Sequence, residues 1–346
     1  MTAHFPLPNA TPSQTPAFGS AFLPRMALSD FHQDGWSEAI SLPFGNMPVS
    51  PAAAALHYGQ IVFEGLKAHP TAEGLKLFRP EAHHSRLVES CQRLAMPAPP
   101  WETFSAALRL TIANEPATTG VYLRPVVMAW ENFLGVRAAA LYRFFVIGCP
   151  ATTYFGSPLH QGGNAAGLRL VTENQWVRAA IGGTGAVKTP GNYAASLAAA
   201  ENAKKQGYHD VLWLDAKHRR FVEEAGAMNI FFRVDDTLVT PALQGSILNG
   251  VTRQSVLRMA QDLGITVAER PIAIEELADH FNQGRFTEAF GTGTAAGVVP
   301  IAEIAHAGQS IFRDAGESSE QAKPRWAGLL RERLQKIQTG QIEMSW

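Results

Sequence analysis

The sequence predicts an α+β or mixed α/β protein in two halves. Three observations carry this. The chain has 346 residues, enough for about two domains. Strand-like and helix-like stretches alternate without the repeated βαβ units of a barrel. A Gly- and Pro-rich stretch, Gly148 to Gly167, interrupts them near the middle. The expected organisation is an N-terminal arm at 1–22, a smaller N-terminal α/β domain at 23–154, a linker at 155–166 and a larger C-terminal mixed-sheet domain at 167–346.

In order along the chain, Pro6, Pro8, Pro12 and Pro16 suit a floppy arm. Ile61–Phe63 and Leu75–Phe78 read as strands, with Glu73-Gly74 as a turn between them. His84–Leu94 and Phe104–Ala113 read as helices, from apolar residues at helical spacing. Gly120–Trp130 and Ala139–Ile147 are rich in Val, Tyr, Leu and Phe and read as long strands joined by a turn around Gly135. In the second half, Leu168–Val171, Val211–Leu214, Met228–Val234 and Ile265–Val267 are expected strands. Tyr193–Gln206 is expected as a helix ended by Gly207, and Val251–Leu263 as one opened by Gly250. Ile274–Phe281 and Pro324–Ile337 complete the helices, and Phe286–Pro300 is a strand broken by Gly-Thr-Gly-Thr.

Composition narrows the function. Apolar residues are 46% and charged residues 17%, which excludes a disordered chain. Lys plus Arg total 29 against 30 Asp plus Glu, so a nucleic-acid binder is not expected. No apolar run is long enough for a transmembrane helix, and the N-terminus lacks the features of a secretory signal. Cys91 and Cys149 read as buried thiols of a cytoplasmic protein, and no metal-site spacing is present.

Four local features offer chemistry. Lys188 follows Gly182-Gly183-Thr184-Gly185-Ala186-Val187 and precedes Thr189-Pro190-Gly191. A lysine in a small-residue cleft can be desolvated, which frees its amine to add to an aldehyde; a lysine reaching to a rim fits the same residues. Glu223-Glu224 runs into a small-residue turn and an apolar strand, so one carboxylate can face a cationic ring nitrogen or serve as an ordinary strand-end charge. Asn249-Gly250-Val251-Thr252 opens a helix with free N–H groups, a generic phosphate cradle or a plain cap. Gly291-Thr292-Gly293-Thr294-Ala295 exposes further donors. Together the four are compatible with one ligand carrying a phosphate, a ring nitrogen and an aldehyde, a description that pyridoxal phosphate meets. There is no G-x-G-x-x-G between strand and helix and no Walker loop.

The chain resembles the branched-chain amino acid aminotransferases, pyridoxal-phosphate enzymes of fold type IV, in their longer, eukaryote-like branch. The stretches that carry the resemblance are LHYGQIVFEGLKAH (56–69), LFRPEAHHSRL (77–87), VYLRP (121–125), GGTGAVKTPGNYAASL (182–197), EEAGAMNIFF (223–232), LNGVTRQSV (248–256) and FGTGTA (290–295). The resemblance implies pyridoxal 5′-phosphate as cofactor. It implies Lys188 as the lysine that forms the internal aldimine and shuttles the proton. Glu224 is then the acid on the ring nitrogen, and Tyr193 the partner of the ring hydroxyl oxygen. Arg86, Gly250, Val251, Thr252 and Thr294 form the phosphate cup, and the Ala295 N–H helps hold the substrate α-carboxylate. Phe63, Tyr122 and Tyr154 match pocket positions, and Arg124 the donor for the γ-carboxylate of glutamate. Tyr58, Leu134 and Val136 match positions supplied by a second subunit, so a homodimer is implied. The implied reaction is reversible transamination of L-leucine, L-isoleucine and L-valine with 2-oxoglutarate, acting on small molecules without nucleic acid or membrane.

Two departures bear on this. Ala296-Gly297-Val298-Val299 stands where mammalian members carry C-x-x-C, so thiol control there is not expected. Ala227 stands where relatives often have threonine. The rival readings are another fold type IV enzyme, acting on D-amino acids or as an aminodeoxychorismate lyase, and a non-catalytic pyridoxal-phosphate-binding homologue.

Overall fold

In this computed structural model residues 17–151, 167–314 and 325–346 are described. The first half builds an eight-stranded sheet from β1 (Arg25–His32), β2 (Gly35–Trp36), β3 (Ile40–Pro43), β4 (Ile61–Phe63), β5 (Leu66–Thr71), β6 (Gly74–Leu77), β7 (Val121–Ala129) and β8 (Tyr142–Pro150). Its path runs β2-β1-β8-β7-β5-β6, with β3 on β1 and β4 on β7. Alternate residues of β8, namely Tyr142, Phe144 and Val146, are buried against Leu87, Phe104 and Leu108. This is the half-buried alternation expected where one sheet face meets helices. Those helices are α2 (Pro80–Arg93) and α3 (Trp101–Ile112); α1 (Ala54–Tyr58) is a short turn that precedes β4.

The second half holds β9 (Leu168–Thr172), β10 (Asp210–Leu214), β11 (Val222–Ala225), β12 (Met228–Val234), β13 (Thr237–Thr240), β14 (Thr266–Glu269), β15 (Phe286–Gly293), β16 (Gly297–His306) and β17 (Gln309–Arg313). Its helices are α4 (Pro190–Ala194), α5 (Leu197–Lys205), α6 (Val251–Asp262), α7 (Ile274–Asn282) and α8 (Trp326–Gln338). The sheet runs β11-β10-β9-β16-β15-β12-β13-β14, with β17 on β16. Because β11 also pairs with β12, the strands β9, β10, β11, β12, β15 and β16 close into a ring. Leu170, Leu212, Val222, Ile230, Ala289 and Ile304, one from each strand, share a single apolar cluster.

Several expectations need correcting. Leu75–Leu77 does form a strand with a turn at Glu73-Gly74, but its partner is β5, not Ile61–Phe63. The latter pairs with β7. The expected helix at Tyr193–Gln206 is two helices, α4 and α5, broken where Ser196 Oγ donates to Tyr193 O and competes with the helical ladder. Phe286–Pro300 is two antiparallel strands joined at Thr294–Ala296. Strands β1 to β3, β5, β11, β13 and β17 are not among the expected strands. Of the expected arm, residues 17–22 are described, and Phe22 stacks on Phe44. Residues 1–16, Tyr154 and the linker at 155–166 lie outside the described residues.

Candidate active site

The two halves face each other across an open cavity. The first half contributes Phe63, Gly65, Arg86, Tyr122 and Arg124. The second contributes Lys188, Tyr193, Ala227, Asn229, and the turns at Gly250–Thr252 and Thr292–Ala296. Cross-links between the halves fix this arrangement. Phe63 N donates to Lys188 O at 3.0 Å, Thr189 Oγ1 to Ile61 O at 2.8 Å, and Lys67 Nζ to Ala295 O at 2.8 Å.

Lys188 Nζ donates to the Tyr193 hydroxyl at 2.8 Å and lies over the Phe63 ring, 5.0 Å from its centroid. Its backbone is pinned as well, since Lys188 N donates to Ser90 Oγ at 3.0 Å. Pro190 opens α4 and places Tyr193 in that helix, on the same side as the lysine.

Glu224 lies in β11, buried, in a small adjoining cavity that shares Tyr193, Ala227 and Leu248 with the main one. Arg178 Nε lies 3.2 Å from its Oε2, and Leu248 N donates to its Oε1 at 3.1 Å. Burial pushes the Glu224 carboxyl above its ordinary value, and the nearby Arg178 charge offsets this only in part. A second cation beside Glu224 would therefore stabilise its charged form.

Arg86 projects from α2 and is 6% exposed. Its fork donates to both oxygens of Glu64, at 2.6 and 2.8 Å, and Nη1 donates to Asn249 O at 3.1 Å. Burial raises the Glu64 carboxyl, but the charge and hydrogen bonds of Arg86 outweigh that and hold it well below the carboxylate range. His83 Nδ1 is 2.8 Å from Glu64 Oε2. Burial keeps His83 neutral by lowering its basicity, and because an ionised carboxylate only accepts, Nδ1 carries the proton.

The first turn of α6 faces the cavity with no side-chain cap, leaving the Val251 and Thr252 N–H groups at the positive end of the helix. Gly250 is required here, because a Cβ would sit 2.1 Å from Asn229 Oδ1. Thr292 Oγ1 is buried and has no hydrogen-bond partner among the described residues.

Thus Lys188, Arg86, Tyr193, Gly250, Val251, Thr252, Thr294, Phe63, Tyr122, Arg124 and Ala295 line one cavity, with Glu224 beside it. Tyr58, Leu134 and Val136 do not reach it. They lie at the surface, 45%, 59% and 85% exposed, with the Tyr58 hydroxyl donating to Leu134 O. Sequence reading missed Glu64, Arg178, Asn229 and Lys67. Glu64 alone had a visible signal, a carboxylate in an apolar strand stretch. It also missed Phe18, whose ring meets Tyr122 edge-on at 5.0 Å from within the expected arm.

The amino-transferase class IV family profile matches residues 61–304. The chain is 43% identical over 304 residues to the branched-chain-amino-acid aminotransferase of Mycolicibacterium smegmatis, covering 84% of this chain and 81% of that protein. It is 39% identical over 334 residues to branched-chain-amino-acid transaminase 1 of Bacillus subtilis, covering 94% and 91%. The T.th. branched-chain amino acid aminotransferase, solved with pyridoxamine 5′-phosphate, superposes with a TM-score of 0.72 at 28% identity, covering 91% of this chain and 95% of that one. The chain belongs to the class IV aminotransferases, among their branched-chain amino acid members.

These aminotransferases use pyridoxal phosphate, and the cavity has the chemistry to hold it. The uncapped α6 turn, the positive charge of Arg86 at the cavity wall and the unpaired Thr292 hydroxyl suit a phosphate. The missing Cβ at Gly250 leaves the backbone approachable. A buried carboxyl with raised affinity for protons, Glu224, suits a ring nitrogen that carries one.

Proposed function

We propose that this aminotransferase interconverts L-leucine, L-isoleucine and L-valine with their 2-oxo acids, using 2-oxoglutarate and L-glutamate as the other pair. The observation that carries the reading is Lys188, held against Tyr193 in a cavity between the uncapped α6 turn and the buried Glu224. When bound, pyridoxal phosphate supplies an aldehyde carbon and an electron-withdrawing ring that eases loss of the substrate α-proton. Arg86, Val251 and Thr252 N–H, Thr294 and Gly250 would hold the phosphate. Glu224 would keep the ring nitrogen protonated, with Arg178 Nε 3.2 Å from that carboxylate.

Lys188 Nζ would hold the cofactor at its aldehyde and, as a free amine, would act as general base and acid, taking the substrate α-proton and returning it. Tyr193 orients that amine through the 2.8 Å hydrogen bond. The Ala295 N–H meets the substrate α-carboxylate, and Lys67 anchors the next peptide by donating to Ala295 O. Phe63, Tyr122 and Ala227 give the side chain an apolar wall. Arg124, stacked 4.9 Å over the Phe63 ring and donating to the Tyr122 hydroxyl at 3.1 Å, keeps its buried Nε without a partner among the described residues. That free donor suits the γ-carboxylate of glutamate.

The exposed Tyr58, Leu134 and Val136 support a homodimer, in which each subunit lends these residues to its partner's cavity. Two buried free thiols support a reducing, cytoplasmic setting.

The test is the absorbance spectrum of the purified protein before and after L-leucine, without any oxo acid. The expected result is loss of the visible cofactor band, a new near-ultraviolet band, and recovery on adding 2-oxoglutarate. Lys188→Ala is expected to abolish turnover. A yellow protein unmoved by leucine, or a Lys188→Ala variant with near-normal kcat, would refute the assignment.

A further inference from the structure

A lysine of the first half reaches across to the turn between β15 and β16. Lys67 sits in β5 opposite Tyr122 of β7, and Tyr122 lies opposite Cys149 of β8. Its Nζ donates to Ala295 O at 2.8 Å. Ala295 and Ala296 line the cavity, and Lys67 is not part of that lining. The Ala295 carbonyl is therefore taken from the side away from the cavity. The peptide is trans, so the N–H of the same unit, on Ala296, points the opposite way, toward the cavity. Neither the Ala295 nor the Ala296 N–H donates to another described residue. The ammonium also lacks an answering carboxylate. Lys67 makes no ion pair among the described residues, and Cys149 is the side chain whose charge acts on it. The other titratable groups near it are His69 on its own strand, Lys76 opposite His69 on β6, and Tyr122 and Arg124 on β7. Burial holds His69 neutral, at about 4, and pushes the Cys149 thiol up, while Arg124 stays charged. Burial also brings the Lys67 ammonium down to about 8, with Cys149 opposing that fall. An anion bound close by would stabilise this unanswered charge.

We propose that Lys67 is a positioning residue for the substrate α-carboxylate: its ammonium holds and polarises the Ala295–Ala296 peptide, and sets a positive charge behind the N–H groups that grip the carboxylate. This rests on the reading of the cavity as the aminotransferase site. A charged donor on a peptide oxygen makes the N–H at the other end of that peptide a stronger donor. The effect serves amino acids and 2-oxo acids alike, since both carry the α-carboxylate, whereas Arg124 serves the dicarboxylic pair. The sign of the pH dependence follows. The grip is complete while Lys67 is protonated, below about 8, and weakens as pH rises through that value.

The experiment measures Kd by calorimetric titration of the holoenzyme with 4-methylvalerate and with 4-methylvaleramide, from about pH 6.5 to about pH 9.5. It uses wild type and Lys67→Met, which keeps the length of the stem and removes the charge. The acid is L-leucine without its amino group, so it does not titrate in this range, and the amide has the same shape without the charge. At pH 7 the wild type should favour the acid, and Lys67→Met should lower the acid-over-amide preference about tenfold, the scale of a hydrogen bond to a charged group. The wild-type Kd for the acid should rise from about pH 8 upward, by up to about tenfold per pH unit, until the gap to the variant closes. Titration at Lys188 is common to both proteins and cancels in that gap. An unchanged preference in Lys67→Met overturns the proposal, and so do equal losses for acid and amide, which would mark a merely structural role. A wild-type preference that stays flat across the whole pH range overturns it without the variant. A holoenzyme that binds neither ligand, and whose spectrum L-leucine leaves unmoved, overturns the aminotransferase reading as well.

Discussion

Glu64→Gln isolates what holds the phosphate arginine in place. Glu64 is fully buried, and Arg86 is 6% exposed. Their two direct bonds, at 2.6 and 2.8 Å, are the arginine's main support, with Asn249 O a third contact. Neutralising Glu64 leaves a buried guanidinium without a counter-charge, and breaking a buried pair from one side costs about 3–5 kcal/mol. Cofactor-depleted variant protein should lose that much in urea unfolding at pH 7. With the cofactor bound the loss should be smaller, because the phosphate supplies another anion to Arg86. The pH dependence has a defined sign. Glu64 is held well below its unfolded value of 4.5, so its contribution is complete above that value and is lost as pH falls toward its folded one. The difference between wild type and variant should shrink by about 1.4 kcal/mol per pH unit below 4.5. A loss under about 1 kcal/mol at pH 7, or a difference that stays the same at pH 3.5, would refute the argument.

Two further outcomes follow from the same geometry. Arg124→Leu should lower kcat/KM for glutamate and 2-oxoglutarate by about 10- to 100-fold, the worth of a hydrogen bond to a charged group, and leucine by much less; equal losses would remove Arg124 from side-chain recognition. Arg79 donates to Val251 O, Ser255 Oγ and Gln254 Oε1, all in the first turns of α6, and stacks on Trp346. Arg79→Ala should raise the cofactor Kd about tenfold, roughly 1.4 kcal/mol, in a spectrophotometric titration; an unchanged Kd would mean that the helix end needs no such support.

The sequence marked the parts of the site whose chemistry is local. Lys188 stood out because small residues surround it, and Gly250 because it opens a helix. Strand β12 was legible for the same reason, with Ile230-Phe231-Phe232 apolar at its centre and a small-residue turn before it. The partnerships were not legible. Glu64 and Arg86 are 22 residues apart, and Arg178 reaches Glu224 from a segment with no pattern of its own. The β5–β6 hairpin was misassigned because Pro70 and His69 conceal a strand whose partner is set by β7. Strands β1 to β3 escaped because their polar turns at 33–34 and 37–39 leave short runs without clear alternation.

The ring of strands described above also orders events in time. Its β11–β12 hairpin, which pairs Glu224 with Asn229, is local and needs little chain closure. Its parallel seam between β9 and β16 joins Leu168 to Ile301 and Leu170 to Ile304, across more than a hundred residues. Contacts of such separation form late, because chain entropy must be spent before they reward it. Asn229 pairs in turn with Thr292 at the end of β15, the strand that leads into this seam. In a refolding chain Glu224 and its neighbours are therefore expected to assemble early, and the phosphate cradle, which also needs Arg86 from the first half, only after the seam and the two halves have come together. The appearance of the bound chromophore then works as a clock for the last step of folding.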